Sequence, residues 1–115
     1  MGGGTLVIII AGYTRAERQK RDAAVEAFAE MARRARKQEG CLDLSISSDS
    51  VDPERINIFE CWRDQQAWNA WRKIAKAPRV ALREAHVKLY RSDKAEEPFS
   101  RNPRRRSSSR IGNSQ

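Results

Sequence analysis

Two alternating sets of apolar residues run through the first strand-like segment, residues 5–12 (TLVIIIAG). The first set is Leu6, Ile8 and Ile10, and the second is Val7, Ile9 and Ala11. Because neighbouring side chains of a strand point to opposite faces, this segment predicts a β-strand covered on both faces. One layer of helices covers only one face of a sheet, so something else must cover the other.

A helix is predicted after this strand. Four apolar residues recur at helical intervals and form one stripe: Ala24, Phe28, Met31 and Ala35. Thr14 and Glu17 have the three-residue spacing of a capping box at a helix N-terminus. Gly40 is typical of a helix C-terminus, where the chain needs a left-handed residue.

A hairpin is predicted next. Residues 41–47 alternate, with Leu42, Leu44 and Ile46 on one face and Cys41, Asp43 and Ser45 on the other. Asp49, Asp52 and Pro53 indicate a connecting loop, and residues 55–62 (RINIFECW) return as a further strand.

A second helix and a last strand complete the pattern. Asp64 is a predicted N-cap for a helix that carries Trp68, Trp71 and Ile74 and that Pro78 ends. In residues 83–91, Ala85, Val87 and Leu89 face one way, and His86, Lys88 and Tyr90 face the other.

The predicted order, βαββαβ, is that of a ferredoxin-like α+β fold. Its four-stranded antiparallel sheet carries two helices on one face and leaves the other face bare. Because the first strand is apolar on that bare face too, the pattern predicts a homodimer whose two sheets pack face to face.

Composition and charge divide the chain into two parts. At 115 residues there is room for one domain, and 39% hydrophobic with 33% charged residues is typical of a globular protein. The net charge is +8, but five arginines within residues 101–110 supply most of it, and the remaining 18 basic and 15 acidic residues leave +3. We therefore predict a domain at residues 1–95 and a disordered basic tail at 96–115.

Membrane insertion and metal binding are not expected. The longest apolar run, residues 6–12, is far shorter than a membrane span, so we predict a cytoplasmic protein. Cys41 and Cys61 are too few for a disulfide framework or a zinc site, and cysteines within apolar strands are usually small buried hydrophobes.

An ordered set of residues resembles the antibiotic biosynthesis monooxygenase family: Gly40-Cys41-Leu42, Asp52-Pro53, Phe59, Glu60, Trp62, Ala67 and an aromatic at Trp71. The resemblance covers residue 5 to about residue 90. It implies a dimeric α+β barrel in which two sheets pack face to face. The family includes oxygenases that act on aromatic polyketides and quinone-like compounds without a cofactor, and haem-degrading enzymes. Trp71 stands where many members have histidine, and Leu44 where a tyrosine is frequent.

The resemblance implies that the substrate itself supplies electrons to molecular oxygen, with no cofactor and no metal. Such a site needs aromatic walls and hydrogen-bonding or basic groups. The predicted catalytic residues are Asn57, Trp62, Trp71 and His86, and the predicted substrate-binding residues are Tyr13, Phe59, Trp68 and Tyr90.

Each of these residues also has a structural interpretation. The tryptophans are equally typical of a core or an interface, Asn57 of a loop hydrogen bond, and His86 of a partly exposed strand position. Glu60 interrupts an apolar strand, and we expect it to form an ion pair with an arginine of its own or the partner chain.

Three alternatives remain. Haem degradation is disfavoured because Ala81 occupies the place of the axial histidine and because Gly12, Tyr13 and Thr14 stand where those enzymes carry an asparagine. Sequence-specific nucleic-acid binding is not expected, since residues 55–59 offer one aromatic and no glycine. A non-catalytic dimeric protein that binds a small ligand remains open.

Overall fold

A computed structural model describes residues 6–99. Its elements, in chain order, are β1 (Val7–Arg15), a short 3₁₀ helix (Arg18–Lys20), α1 (Arg21–Ala27), α2 (Ala29–Lys37), β2 (Cys41–Ser48), β3 (Arg55–Trp62), α3 (Gln65–Ile74) and β4 (Arg83–Ser92). The strands form one antiparallel sheet in the order β2-β3-β1-β4. The predicted ferredoxin-like α+β fold is confirmed.

The predicted capping box is wrong, because β1 runs on through Thr14 to Arg15. Thr14 is buried at 4% exposure, and its hydroxyl donates a hydrogen bond to the Arg83 carbonyl at 2.8 Å. This bond lies where the pairing of β1 with β4 shifts register, so the hydroxyl completes the sheet instead of starting a helix.

The first helical region contains two α-helices rather than one. Phe28 separates α1 from α2 with φ −84° and ψ −7°, close to a 3₁₀ turn, and its N–H reaches the Val25 carbonyl at 3.0 Å. The predicted stripe is nevertheless confirmed, since Ala24, Met31 and Ala35 are all buried. Gly40 has the expected positive φ, +85°.

The predicted face of Leu42 is wrong. The register between β2 and β3 shifts between Cys41 and Asp43, so Leu42 lies in a bulge and is 58% exposed. Cys41 packs against the core in its place. After the bulge the alternation proceeds as predicted, and Leu44 is fully buried.

The N-terminus of α3 is confirmed, and its end comes earlier than predicted. The Asp64 carboxylate accepts a hydrogen bond from the Ala67 N–H at 2.8 Å, as an N-cap does. The helix ends at Ile74, four positions before Pro78, and Lys76 follows with φ +49°.

The sheet has a helix face and an open face. The helix face carries Ile8, Leu44 and Trp62, which pack with Met31 and Ala35 of α2 into the main core. The open face carries the residues that alternate with them. Val87 and Leu89 of β4 pack against the core on the helix face, as predicted.

The prediction of a disordered tail concerns residues that lie mostly outside the described range. Within residues 6–99, β4 ends at Ser92 and residues 93–99 contain neither helix nor strand. The domain boundary therefore stays a prediction. No helix in the described range has the length and apolar character needed to cross a bilayer.

Candidate functional site

The predicted site residues lie on two opposite faces of the sheet. Trp62, Trp68 and Trp71 belong to the helix face, where they pack in or against the main core. The open face carries Tyr13, Asn57, Phe59, His86 and Tyr90. Tyr13 is the cross-strand partner of both Asn57 and His86, so these three share a face. One protomer therefore does not bring all the predicted residues into one site.

Glu60, Trp62, Trp68 and Trp71 form what we call the indole cluster. Trp62 ends β3 and Trp71 lies in α3, and their rings stack with centroids 6.0 Å apart and planes 22° apart. Trp62 is fully buried and Trp71 is 3% exposed. The Asp64 cap fixes the start of α3 just after β3, and this short connection places the two rings against each other.

Glu60 does not form the ion pair predicted for it within its own chain. Its Oε1 accepts a hydrogen bond from Trp62 Nε1 at 2.9 Å, and no cation of residues 6–99 lies within ion-pair distance of it. Burial raises the pKa of the Glu60 carboxyl, although Trp62, Trp68 and the positive charge of Arg72 partly oppose this effect. Glu60 is thus a partly buried acid held by indole donors.

Two guanidinium groups lie over the indole rings. Arg34 of α2 is 5.5 Å from the Trp71 ring, and Arg72 is 4.5 Å from the Trp68 ring. Arg34 also donates to the carbonyls of Ile74 and Ala75, at 3.2 and 2.7 Å. It therefore ties α2 to the end of α3, but its charge is paired with Glu30, whose Oε2 lies 2.6 Å from Arg34 Nε. Arg72 is the arginine that brings positive charge to the cluster.

Tyr13, Arg55, Asn57, His86 and Asp49 form a second group, which we call the open-face cluster. The rings of Tyr13 and His86 stack at 4.8 Å, and the Arg55 guanidinium lies 3.9 Å from the Tyr13 ring. His86 is also 3.6 Å from Glu84. The group is a stack of two rings and a cation at one end of the sheet.

Both polar atoms of the Asn57 amide are used within the open-face cluster. Arg55 Nε donates to Asn57 Oδ1 at 2.7 Å, and Asn57 Nδ2 donates to Asp49 Oδ1 at 2.9 Å. Asp49 also accepts from the N–H groups of Asp52 and Val51. Together these hydrogen bonds lower the pKa of Asp49 to about 2, and the bond from the Asp52 N–H makes the largest contribution.

Replacing Asn57 with alanine is expected to weaken the domain in a pH-dependent way. The Asp49 pKa is depressed in the folded state, so its contribution to stability is present above the unfolded value of 3.8 and is lost as pH falls towards about 2. Without Asn57 the folded pKa rises and this contribution shrinks. In urea unfolding, the free energy of unfolding of Asn57→Ala should be lower than that of the wild type at pH 7, and the difference should disappear at low pH. The control variant Asn69→Ala, at an exposed site, should show no such difference. A pH-independent deficit would contradict this account.

Five uncharged residues of the open face form what we call the apolar stripe: Ile9, Ala11, Phe59, Cys61 and Tyr90. Ile9 pairs with Cys61 and Tyr90, and Ala11 pairs with Phe59. Phe59 is 38% exposed and Tyr90 is 52% exposed. The stripe is an apolar surface that no part of residues 6–99 covers.

No metal site is evident in the described part of the chain. Residues 6–99 contain no group of three or more His, Cys, Asp or Glu side chains arranged to hold a metal ion. Cys41 and Cys61 are free thiols on opposite faces of the sheet, and burial raises the pKa of both.

The profile of the antibiotic biosynthesis monooxygenase family matches residues 7–77, more than half of the chain. The chain belongs to this family. Comparison with curated proteins gives no match. The fold agrees with family structures, including two from Bacillus cereus and Nitrosomonas europaea that are named as candidate antibiotic biosynthesis monooxygenases.

These likenesses concern the fold. The Bacillus cereus protein is 20% identical with a TM-score of 0.58, and 84% of this chain covers 100% of that one. The Nitrosomonas europaea protein is 18% identical with a TM-score of 0.57, and 82% of this chain covers 94% of that one. A conserved protein from Bacteroides thetaiotaomicron is 19% identical with a TM-score of 0.60, and 80% of this chain covers 100% of that one.

Glu60 is the residue of the indole cluster that was not among the predicted site residues. The signal was present, because Glu60 lies two positions before Trp62 in an alternating strand and therefore shares its face. An acid at a position that alternation assigns to the core needs a partner or a function. What the sequence did not show is that the partner is an indole rather than an arginine.

Proposed function

We propose that this protein is a cofactor-independent monooxygenase that oxidises an aromatic polyketide or quinol-like small molecule with molecular oxygen. The observation that carries the proposal is the indole cluster, in which two stacked tryptophans lie beside a partly buried carboxylate. Membership of the antibiotic biosynthesis monooxygenase family supports the same reaction class. Two free cysteine thiols are in keeping with the reducing cytoplasm, where we place the protein.

The proposed reaction has three requirements that the protein must meet. A phenol or hydroquinone that has lost a proton passes an electron to oxygen, so the protein must hold the ring, exclude water and stabilise the anion. The partly buried Trp68 offers a flat apolar surface for an aromatic ring, and the buried Trp62 and Trp71 support it from the core. Arg72, which lies over the Trp68 ring, favours an anionic substrate by its positive charge.

We assign the reaction to the indole cluster rather than to the open-face cluster. Asn57 already uses both polar atoms of its amide, and His86 stacks on Tyr13 with 52% of its side chain exposed. Water is hard to exclude from such a position while the face stays open. Catalytic roles for Asn57 and His86 remain predictions, and substitution of either residue should leave turnover within a few fold if the indole cluster is the site.

The proposal includes a homodimer in which the open faces of two copies meet. The apolar stripe supports it, since it contains five neighbouring uncharged residues on the face opposite the helices. Burying such a stripe against its own copy removes apolar area from water at about 25 cal/mol per Å². The small size of the domain makes this association an efficient way to enlarge its core.

Phe59→Glu is expected to convert the dimer into a monomer. The substitution places a charge in the middle of the apolar stripe, where the partner would have to desolvate it. Sedimentation velocity should give a dimer for the wild type and a monomer for the variant. Val51→Glu is the matched control, because Val51 is 87% exposed in the loop between β2 and β3 and should leave the dimer intact. A dimeric Phe59→Glu variant would contradict the proposed interface.

Oxygen uptake tests the proposed reaction directly. The purified metal-free protein, mixed with anthrone or methylhydroquinone and no added cofactor, should consume oxygen faster than the same solution without protein. Trp71→Ala should lose this activity, and Asn69→Ala, at an exposed position of the same helix, should retain it. Tight binding of the same compounds without oxygen uptake would favour the non-catalytic ligand-binding alternative.

A further inference from the structure

We propose that Glu60 is the proton acceptor of the indole cluster, and that its carboxylate takes the proton from the phenolic or enolic hydroxyl of the aromatic substrate. The inference rests on the proposed oxygenase function and adds to it the identity of the base and the class of hydroxyl that the site must receive.

Glu60 lies on the apolar helix face of the sheet. Its cross-strand partners on the helix face are Ile10 of β1 and Leu44 of β2, which are 8% and 0% exposed. Every second residue of β3 around it, from Ile56 to Trp62, also faces the helices. A carboxylate in this apolar setting costs free energy, so a purely structural role would require a compensating ion pair.

Glu60 has no such ion pair within the described part of the chain. Among residues 6–99 no arginine, lysine or histidine lies within 4.0 Å of the Glu60 carboxylate, which instead accepts a hydrogen bond from the Trp62 indole. Arg72 acts on it only over a longer distance. The charge is therefore oriented by a neutral donor and is not cancelled, which leaves the carboxylate available to accept a proton.

The properties of Glu60 match the needs of the proposed reaction. Burial raises the pKa of Glu60, which makes its carboxylate a stronger base towards a phenol or enol than an exposed one. A base must also lie beside the bound ring, and Glu60 is hydrogen-bonded to the indole of Trp68, the partly buried member of the cluster that would hold it. No other carboxylate of the described residues lies in the indole cluster.

The proposed reaction conserves atoms and electrons. The substrate O–H bond breaks, its proton moves to Glu60, and the resulting anion transfers one electron to O₂. The substrate radical and superoxide combine to form a carbon–oxygen bond, and the peroxide anion recovers the proton from Glu60. Loss of water from the hydroperoxide then gives a carbonyl group. Oxygen is the only oxidant, and the carboxylate is regenerated.

Glu60→Gln is the decisive variant, because glutamine can still accept the Trp62 hydrogen bond but is no base. We expect kcat with anthrone to fall by roughly 10²–10⁴-fold, the usual contribution of a general base. Binding, followed by quenching of tryptophan fluorescence with anthraquinone, should change little. The unfolding midpoint at pH 7 should equal or exceed that of the wild type, since a buried charge has been removed. Glu39→Gln, at an exposed site, should change none of these.

A second variant separates a base from a merely structural acid. Glu60→Ala should lose activity and regain part of it on addition of formate, which supplies a small carboxylate. In the wild type, kcat/KM should fall at acid pH with a midpoint above the ordinary glutamate pKa, and this limb should be absent from Glu60→Gln. Oxygen uptake by Glu60→Gln within a few fold of an active wild type would overturn the role of Glu60 alone. No uptake by the wild type would overturn the proposed function and this inference with it.

Discussion

Replacing Gly12 with alanine is expected to destabilise the domain by about 3–5 kcal/mol, the sum of a strained backbone conformation and a steric overlap. Gly12 lies in β1 between β3 and β4 with φ +154°, a value that L residues rarely adopt. An added Cβ would overlap the His86 carbonyl oxygen and come within 2.7 Å of the Val87 Cα. Because both atoms belong to the backbone of the adjacent strand, neither can move aside without distorting the sheet.

The neighbouring position offers a control for this prediction. Ala11→Gly is the reverse exchange, alanine to glycine, in the same strand. It should lower the free energy of unfolding by only about 0.5–1 kcal/mol, through backbone entropy. Urea unfolding followed by far-UV circular dichroism would measure both variants. Domains of this size have only about 5–15 kcal/mol to lose, so Gly12→Ala should unfold at a much lower urea concentration. A deficit of less than about 1 kcal/mol would show that β4 can yield at this point.

The alternation of apolar residues predicted the sheet well because its cause is local. The apolar sets of β1 and the stripe of the first helical region follow from side-chain geometry alone, and the structure has them as expected. The capping-box pattern at Thr14 and Glu17 was misleading because its outcome depends on contacts distant in sequence. A threonine hydroxyl can serve a helix or a strand, and pairing with β4 decided between them.

The bulge in β2 shows a second limit. Leu42 and Cys41 exchange faces because β3 pairs with residues on either side of Leu42, and neither residue type signals this shift. The prediction rested on alternation continuing through the whole segment. A bulge depends on the pairing of two strands, and the sequence of one strand alone does not contain that information.

The candidate site was predictable in its parts but not in its arrangement. Asn57 and Trp62 lie five positions apart in one strand, so alternation already placed them on opposite faces. The stacking of Trp62 on Trp71 depends on how α3 docks, and the contact between Tyr13 and His86 depends on the pairing of β1 with β4. The sequence therefore identified candidate residues, but tertiary packing determines that they form two separate clusters.

Trp62→Ala is expected to cost about 3–5 kcal/mol, the usual loss for removing a large buried aromatic side chain. Trp62 is fully buried and contributes to the main core, and its ring supports that of Trp71. Trp68→Ala is the comparison, because Trp68 lies only partly buried at the edge of the same core and should cost less. Thermal and urea unfolding would rank the two variants, and an equal cost would contradict the central position assigned to Trp62.

Trp62→Phe isolates the hydrogen bond from the packing. It keeps a ring against Trp71 but removes the N–H that reaches Glu60 at 2.9 Å, at a cost of about 1–3 kcal/mol for a poorly satisfied carboxylate. Since that bond favours the charged form, its loss should raise the Glu60 pKa further. The folded-state pKa is then raised further above the unfolded one, so the loss of stability should be small at acid pH and should grow as pH rises through the folded value. Combining Trp62→Phe with Glu60→Gln should abolish this increase in the loss of stability with pH, because no charge remains to be desolvated. A double-mutant cycle at pH 7 that gave no coupling between Trp62 and Glu60 would show that the indole does not control the acid beside it.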